Sequence, residues 1–80
     1  MNSEDSIGII ELGNVNIKCL IFKIKDNNKS EILSTSTTPS VGIHNGVVVN
    51  LTKVSKAIRS CISIAEKKAE ILLKKINVVL

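Results

Sequence analysis

Within eight positions near the start of this 80-residue chain stand the carboxylate of Glu11, a glycine-asparagine step at Gly13 and Asn14, and the ammonium of Lys18. A bend built on glycine can close on a phosphate. Glycine reaches backbone conformations that other residues avoid and has no side chain to block an approaching anion, so the N–H groups of the bend remain available as donors. A nearby lysine adds a mobile positive charge, and a carboxylate can hold a hydrated divalent cation. The same residue types also make ordinary β-hairpin turns, and the local pattern leaves both readings open.

The other reactive side chains support less chemistry. Glu11 lies in an apolar run, where burial would raise its pKa unless a cation compensates; that favours a functional role. Lys18 fits the outward position of an alternating strand equally well. His44 has neither a second histidine nor a suitably spaced cysteine, which makes it a solvated loop residue, and Cys19 and Cys61 lack the spacing of a zinc set and read as buried, reduced thiols. Ser60, Cys61 and Ser63 have no base to activate them and are packing or surface residues.

The elements that must position these groups follow from periodicity. Ser6 to Leu12 is an almost unbroken apolar run, the pattern of a central strand covered on both faces. Asn16 to Lys25 alternates as a half-exposed strand, Asp26 to Lys29 is a turn, and the β-branched stretch Glu31 to Thr38 is a third strand that Pro39 ends. Pro39 to Asn50 reads as an irregular loop with an extended end, the kind of segment that often carries function. A helix capped by Asn50 or Thr52 follows, with an apolar stripe of Leu51, Val54, Ala57, Ile58, Cys61, Ile62, Ala65, Ala69 and Leu72 and a solvated face of Lys53, Lys56, Arg59, Ser63, Lys67 and Glu70. It should yield near Lys74 to a last strand, INVVL.

Composition narrows the functional classes. Eighty residues, 44% of them hydrophobic, allow one small domain with an aliphatic core. One Phe and no Trp or Tyr nearly exclude base stacking. The opening MNSEDS is unlike a secretory signal, and no apolar stretch approaches the roughly 20 residues that span a bilayer, so a cytoplasmic location is expected. Positive charge is concentrated late: residues 50–80 hold seven Lys or Arg against Glu66 and Glu70, whereas residues 1–49 hold four Lys against five acids.

The expected order, βββαβ with a mixed sheet and one long amphipathic helix over residues 1–80, resembles the start of the ribonuclease H-like domains of the actin-like ATPase superfamily. Within it, the chain resembles the amino-terminal region of the FtsA family of bacterial cell-division proteins through Gly8-Ile9-Ile10-Glu11-Leu12-Gly13-Asn14, Lys18, Pro39-Ser40-Val41-Gly42-Ile43, Gly46-Val47-Val48-Val49-Asn50, Ala65-Glu66 and Val78-Val79-Leu80. The Pro39 to Asn50 stretch is the more discriminating, since the first turn is common to the superfamily.

That resemblance implies ATP and magnesium as cofactors. Gly13, Asn14, Val15 and Asn16 would surround the β and γ phosphates, Lys18 would be a charge partner and Glu11 would reach the metal through water. Two departures stand out: relatives usually carry Asp where Glu11 stands and Ser or Thr where Asn14 stands, so the carboxylate here reaches one methylene further and an amide replaces a hydroxyl. In such proteins the second phosphate turn and the adenosine pocket lie further along, which implies a partial domain that is not an ATPase by itself. The full-length parent would link the FtsZ ring and other divisome proteins to the cytoplasmic face of the inner membrane at the septum, touching the membrane through segments other than these; an uncovered sheet edge and helix face leave self-association open. Alternatives are another actin-like relative, of pilus-assembly or rod-shape type, and a basic module that binds nucleic acid or anionic membrane through Lys53, Lys56, Arg59, Lys67, Lys68, Lys74 and Lys75. Salt separates the last from the rest. Binding to nucleic acid through several lysines would fall steeply between low and moderate ionic strength, whereas the FtsA resemblance predicts no appreciable binding of duplex DNA in an anisotropy titration at physiological salt.

Overall fold

Side-chain alternation puts Ile10 of β1 (Ser6–Leu12) and Ile17, Cys19 and Ile21 of β2 (Asn16–Ile24) on one face of an antiparallel pair, where all four are buried. The computed structural model describes residues 6–26 and 29–79, so the expected signal-free start, the middle of the Asp26 to Lys29 turn and Leu80 lie largely outside the described residues. β3 (Ser30–Pro39) adds to β2 antiparallel, with an irregularity of register beside Phe22, and Pro39 is its last residue. β6 (Ile76–Val79) pairs parallel with β1, giving a mixed sheet of order β3-β2-β1-β6.

One helix, α1 (Leu51–Ala69), crosses the face that carries Ile10, Ile17 and Ile21. The expectation that β1 is covered on both faces is corrected here. Ser6, Gly8 and Ile10 are buried beneath the helix side, but Ile7 and Ile9 are half-buried and Glu11 is exposed, because among the described residues no second layer covers the opposite face.

The helix sits close to the sheet because the residues between them are small. The Ser34 hydroxyl donates to the Ala65 carbonyl at 2.7 Å and the Ser36 hydroxyl to the Cys61 carbonyl at 2.6 Å. Val54, Cys61 and Ala65 are buried, with Ala57, Ile58, Ile62 and Ala69 packed around them. Leu51 and Leu72, expected on the same stripe, are 72% and 75% exposed. Leu51 precedes the contact that begins at Val54, and Leu72 lies beyond the helix, where the 3.6-residue period no longer applies.

Both helix ends have identifiable causes. The Asn50 side chain accepts the Lys53 N–H at 3.0 Å, which makes Asn50 rather than Thr52 the cap. The helix stops at Ala69 and does not continue towards Lys74, because Glu70 takes up the left-handed conformation (φ 57°) and the Ile71 N–H turns back to the Glu66 carbonyl at 3.2 Å. The Glu66 carboxylate then accepts the Leu73 N–H at 2.7 Å and leads the chain towards β6.

The segment expected as an irregular loop contains a small hairpin, β4 (Ile43–His44) and β5 (Val47–Val48). Its central residues Asn45 (φ 49°) and Gly46 (φ 76°) both have positive φ, as the tight two-residue turn of a hairpin requires. Just before it, Gly42 (φ 81°) accepts the Val49 and Asn50 N–H groups at 2.7 and 3.1 Å, and a Cβ there would overlap the Asn50 carbonyl oxygen.

Two substitutions test this backbone. Glu70→Gly should raise stability by about 1 kcal/mol, because it relieves a left-handed non-glycine residue and removes a negative charge from the helix C-terminus. Gly42→Ala should lower it by about 2 kcal/mol or more through strain and overlap together. Urea unfolding followed by circular dichroism checks both.

Candidate functional site

The turn between β1 and β2 is held shut by the Gly13 N–H, which donates to the Asn16 carbonyl at 3.1 Å. Glycine is needed at position 13 for closeness and not for an unusual φ, which corrects the expectation drawn from its conformational freedom. Among the described glycines only Gly42 and Gly46 have positive φ, whereas a Cβ on Gly13 would lie 2.7 Å from the Asn16 carbonyl oxygen.

The turn and the 39–50 segment, 23 residues or more apart in sequence, are in direct contact. The Ser40 N–H donates to the Val15 carbonyl at 2.9 Å, the Ser40 hydroxyl donates to the Gly13 carbonyl, and the Gly46 N–H donates to the Asn14 side-chain oxygen at 2.7 Å. Asn14, expected to offer its amide to a phosphate, therefore uses the oxygen of that amide to hold the β4–β5 hairpin. Val15 is exposed, and no described residue accepts from the backbone N–H of Asn14 or Val15.

Directly beneath the turn, Glu11 and Lys18 are cross-strand partners in register and share the face opposite the helix. Both are exposed, so Glu11 is not the buried carboxylate that its apolar neighbours suggested: side-chain alternation turns it away from Ile10 and onto the open face. They do not close an ion pair, unlike Lys25 and Glu31, which meet at 2.7 Å. Ile9, Glu11, Lys18, Leu20, Thr35 and Thr37 line a shallow groove of about 400 Å³ on this face. Its floor is apolar and one end is charged, with the turn above.

The remaining candidates are structural. His44 is an exposed residue of β4, and no group of three His, Cys, Asp or Glu among the described residues is placed to hold a metal. Cys61 is buried, touches the Ser36 hydroxyl at 3.2 Å and directs its own S–H at the Ile17 and Ser36 carbonyls, each at 3.6 Å. Burial, then the neighbouring Cys61 and Glu66, push the Cys19 thiol up to about 11, against a smaller opposing effect of the Ser36 hydroxyl. Both cysteines are free thiols of the core and not nucleophiles. Lys53, Lys56, Arg59, Lys67 and Lys68 are exposed along α1, and Lys68 reaches back to the Thr35 carbonyl at 3.0 Å. No described helix is long and apolar enough to cross a membrane.

Sequence reasoning missed Ser40, Gly46 and Glu66. The Asn45-Gly46 step was the available signal for a hairpin; nothing local signalled that Ser40 would reach the first turn.

No family model matches the chain. It is 32% identical over 69 residues to the cell division protein FtsA of Streptococcus pneumoniae serotype 2 (strain D39), a match that covers 86% of this chain and 15% of that protein. To FtsA of Neisseria meningitidis serogroup B it is 30% identical over 64 residues, covering 80% of this chain and 16% of the relative. The chain thus spans about 15% of the length of the curated relatives it matches. Its fold matches part of the diol dehydratase-reactivating factor, solved in nucleotide-free form, with a TM-score of 0.72 and 16% identity over 91% of this chain and 12% of that one.

Two outcomes test the site's construction. Gly13→Ala should cost about 1–3 kcal/mol in urea unfolding, since the new methyl group must displace the Asn16 carbonyl. The Cys19 thiol is neutral when protonated and its value is raised on folding, so its contribution to stability is complete below about pH 9 and is lost as the pH rises towards about 11. Unfolding midpoints from pH 8 to 11 should fall in that window, and Cys19→Ala should flatten the fall.

Proposed function

With kinship to the FtsA cell-division proteins as the premise, we propose that these residues form part of an actin-like, ribonuclease H-like subdomain whose Gly13–Asn16 turn holds the β and γ phosphates of ATP in an FtsA-like protein. The observation that carries the reading is the state of the turn: its Gly13 and Val15 carbonyls are tied back to Ser40, while the Asn14 and Val15 N–H groups have no acceptor among the described residues. Backbone donors left without partners beside a position that admits no side chain suit a close-approaching anion.

The flanking residues fit the same ligand. Lys18 is exposed two positions beyond the turn and supplies a mobile ammonium. Glu11, its cross-strand partner, presents an exposed carboxylate that suits a magnesium ion held through water, since that ion keeps most of its hydration and needs only one or two carboxylates. When bound, the ion neutralises phosphate charge. The chain's own part is to orient donors and charge around the phosphates; adenosine recognition and the opposing phosphate contacts are assigned to other segments of the parent. In that parent the domain would act at the cytoplasmic face of the membrane at the division site, in partnership with FtsZ.

A chimera tests the reading. Replacing the matching 69 residues of the pneumococcal FtsA with those of this chain should preserve ATP binding. Gly13→Val in that chimera should weaken it at least about tenfold, the effect of losing hydrogen bonds to a charged group. Equal binding by the two chimeras would overturn the assignment. The 80-residue chain alone should give no measurable heat with micromolar Mg-ATP in calorimetric titration.

A further inference from the structure

Ser40 makes two hydrogen bonds to one turn, and their combined effect reaches beyond holding two segments together. A trans peptide is planar and points its C=O and its N–H to opposite sides, and no peptide bond among the described residues is cis. The Gly13 carbonyl and the Asn14 N–H belong to one such unit, and the Val15 carbonyl and the Asn16 N–H to another. The Ser40 hydroxyl draws the first carbonyl and the Ser40 N–H draws the second. Both N–H groups are therefore directed to the side away from Ser40, and two partial negative charges are withdrawn from the side an anion would approach.

We infer that Ser40 is a positioning residue for phosphate recognition: it orients the turn's donors and masks its carbonyls without touching the ligand. This rests on the phosphate-binding reading of the turn. Neither Gly13 nor Asn16 could achieve the same orientation alone, because their mutual bond, Gly13 N–H to Asn16 carbonyl, leaves the Gly13 and Val15 carbonyls unspecified. The Gly46 N–H also bonds the turn, but through the Asn14 side chain, and so does not set the peptide planes.

The test is a titration of the 15N-labelled 80-residue chain with inorganic tripolyphosphate in the millimolar range, followed residue by residue in amide spectra. In the native sequence the Asn14, Val15 and Asn16 amides should move together. Ser40→Ala should weaken the apparent affinity at those amides about fivefold, as expected for one lost hydrogen bond, and Ser40→Thr, which keeps the hydroxyl, should restore it. Shifts along the lysine face of α1 should be unchanged in all three, which a general loss of structure would not allow. Native-like titration of the turn by Ser40→Ala would overturn the role of Ser40 while leaving the phosphate reading intact. Absence of any turn shift in the native chain would overturn both. If Ser40→Ala fails to fold, Ser40→Cys, nearly equal in size but a weak donor, takes its place: weaker binding than Ser40→Thr supports the role, and equal binding overturns it.

Discussion

Two serine hydroxyls spaced two residues apart on a strand meet two carbonyls spaced four residues apart on a helix, and the match is geometric. Two strand residues advance roughly 6.6 Å and one helical turn of four residues roughly 6 Å, so Ser34 and Ser36 reach Ala65 and Cys61 in step. The helix runs opposite to β3 and lies close to it, because each contact is made by a small side chain. Larger residues at Ser34, Ser36 or Ala65 would lift α1 off the sheet and uncover Ile10, Ile17 and Ile21. Everything downstream depends on this seam, since the helix C-terminus delivers β6 to the edge of β1 and its N-terminus anchors the 39–50 segment through Gly42 and Asn50.

The candidate site inherits its geometry from that anchoring. The segment held against the helix start extends Ser40 and Gly46 to the β1–β2 turn, so the bend is shaped from outside itself. A free two-residue turn samples several conformations, and ordering it opposes binding through lost backbone entropy. Three hydrogen bonds from a fixed neighbour remove that freedom beforehand. Glu11 and Lys18, two register steps below, are by contrast held only by their strands and remain exposed. The candidate site thus combines a turn braced by hydrogen bonds with exposed charge.

The open sheet face explains where sequence reasoning about charge went astray. An apolar run with a single carboxylate suggested a buried acid, but Glu11 is on the alternate side of β1 from Ile10, and the described residues place a covering layer on one side only. The pattern of the run reports how apolar each position is. It does not report which face has a neighbour.

Local order was legible in the residues alone. The three strands, the helix with a cap at Asn50 or Thr52 and the final strand follow from alternation, β-branching and 3.6-residue spacing, because those signals arise from contacts within a few positions of each residue; the structure chose Asn50. Gly13 and Asn14 were legible as a turn for the same reason. Only the tertiary structure decided that Glu70 would end the helix in a left-handed conformation, that the Asn14 side-chain oxygen would accept from Gly46, and that Ser40 would bond to the turn. Each of these is a bond between groups far apart in the chain or a backbone state selected by packing, and no window of neighbouring residues carries that information.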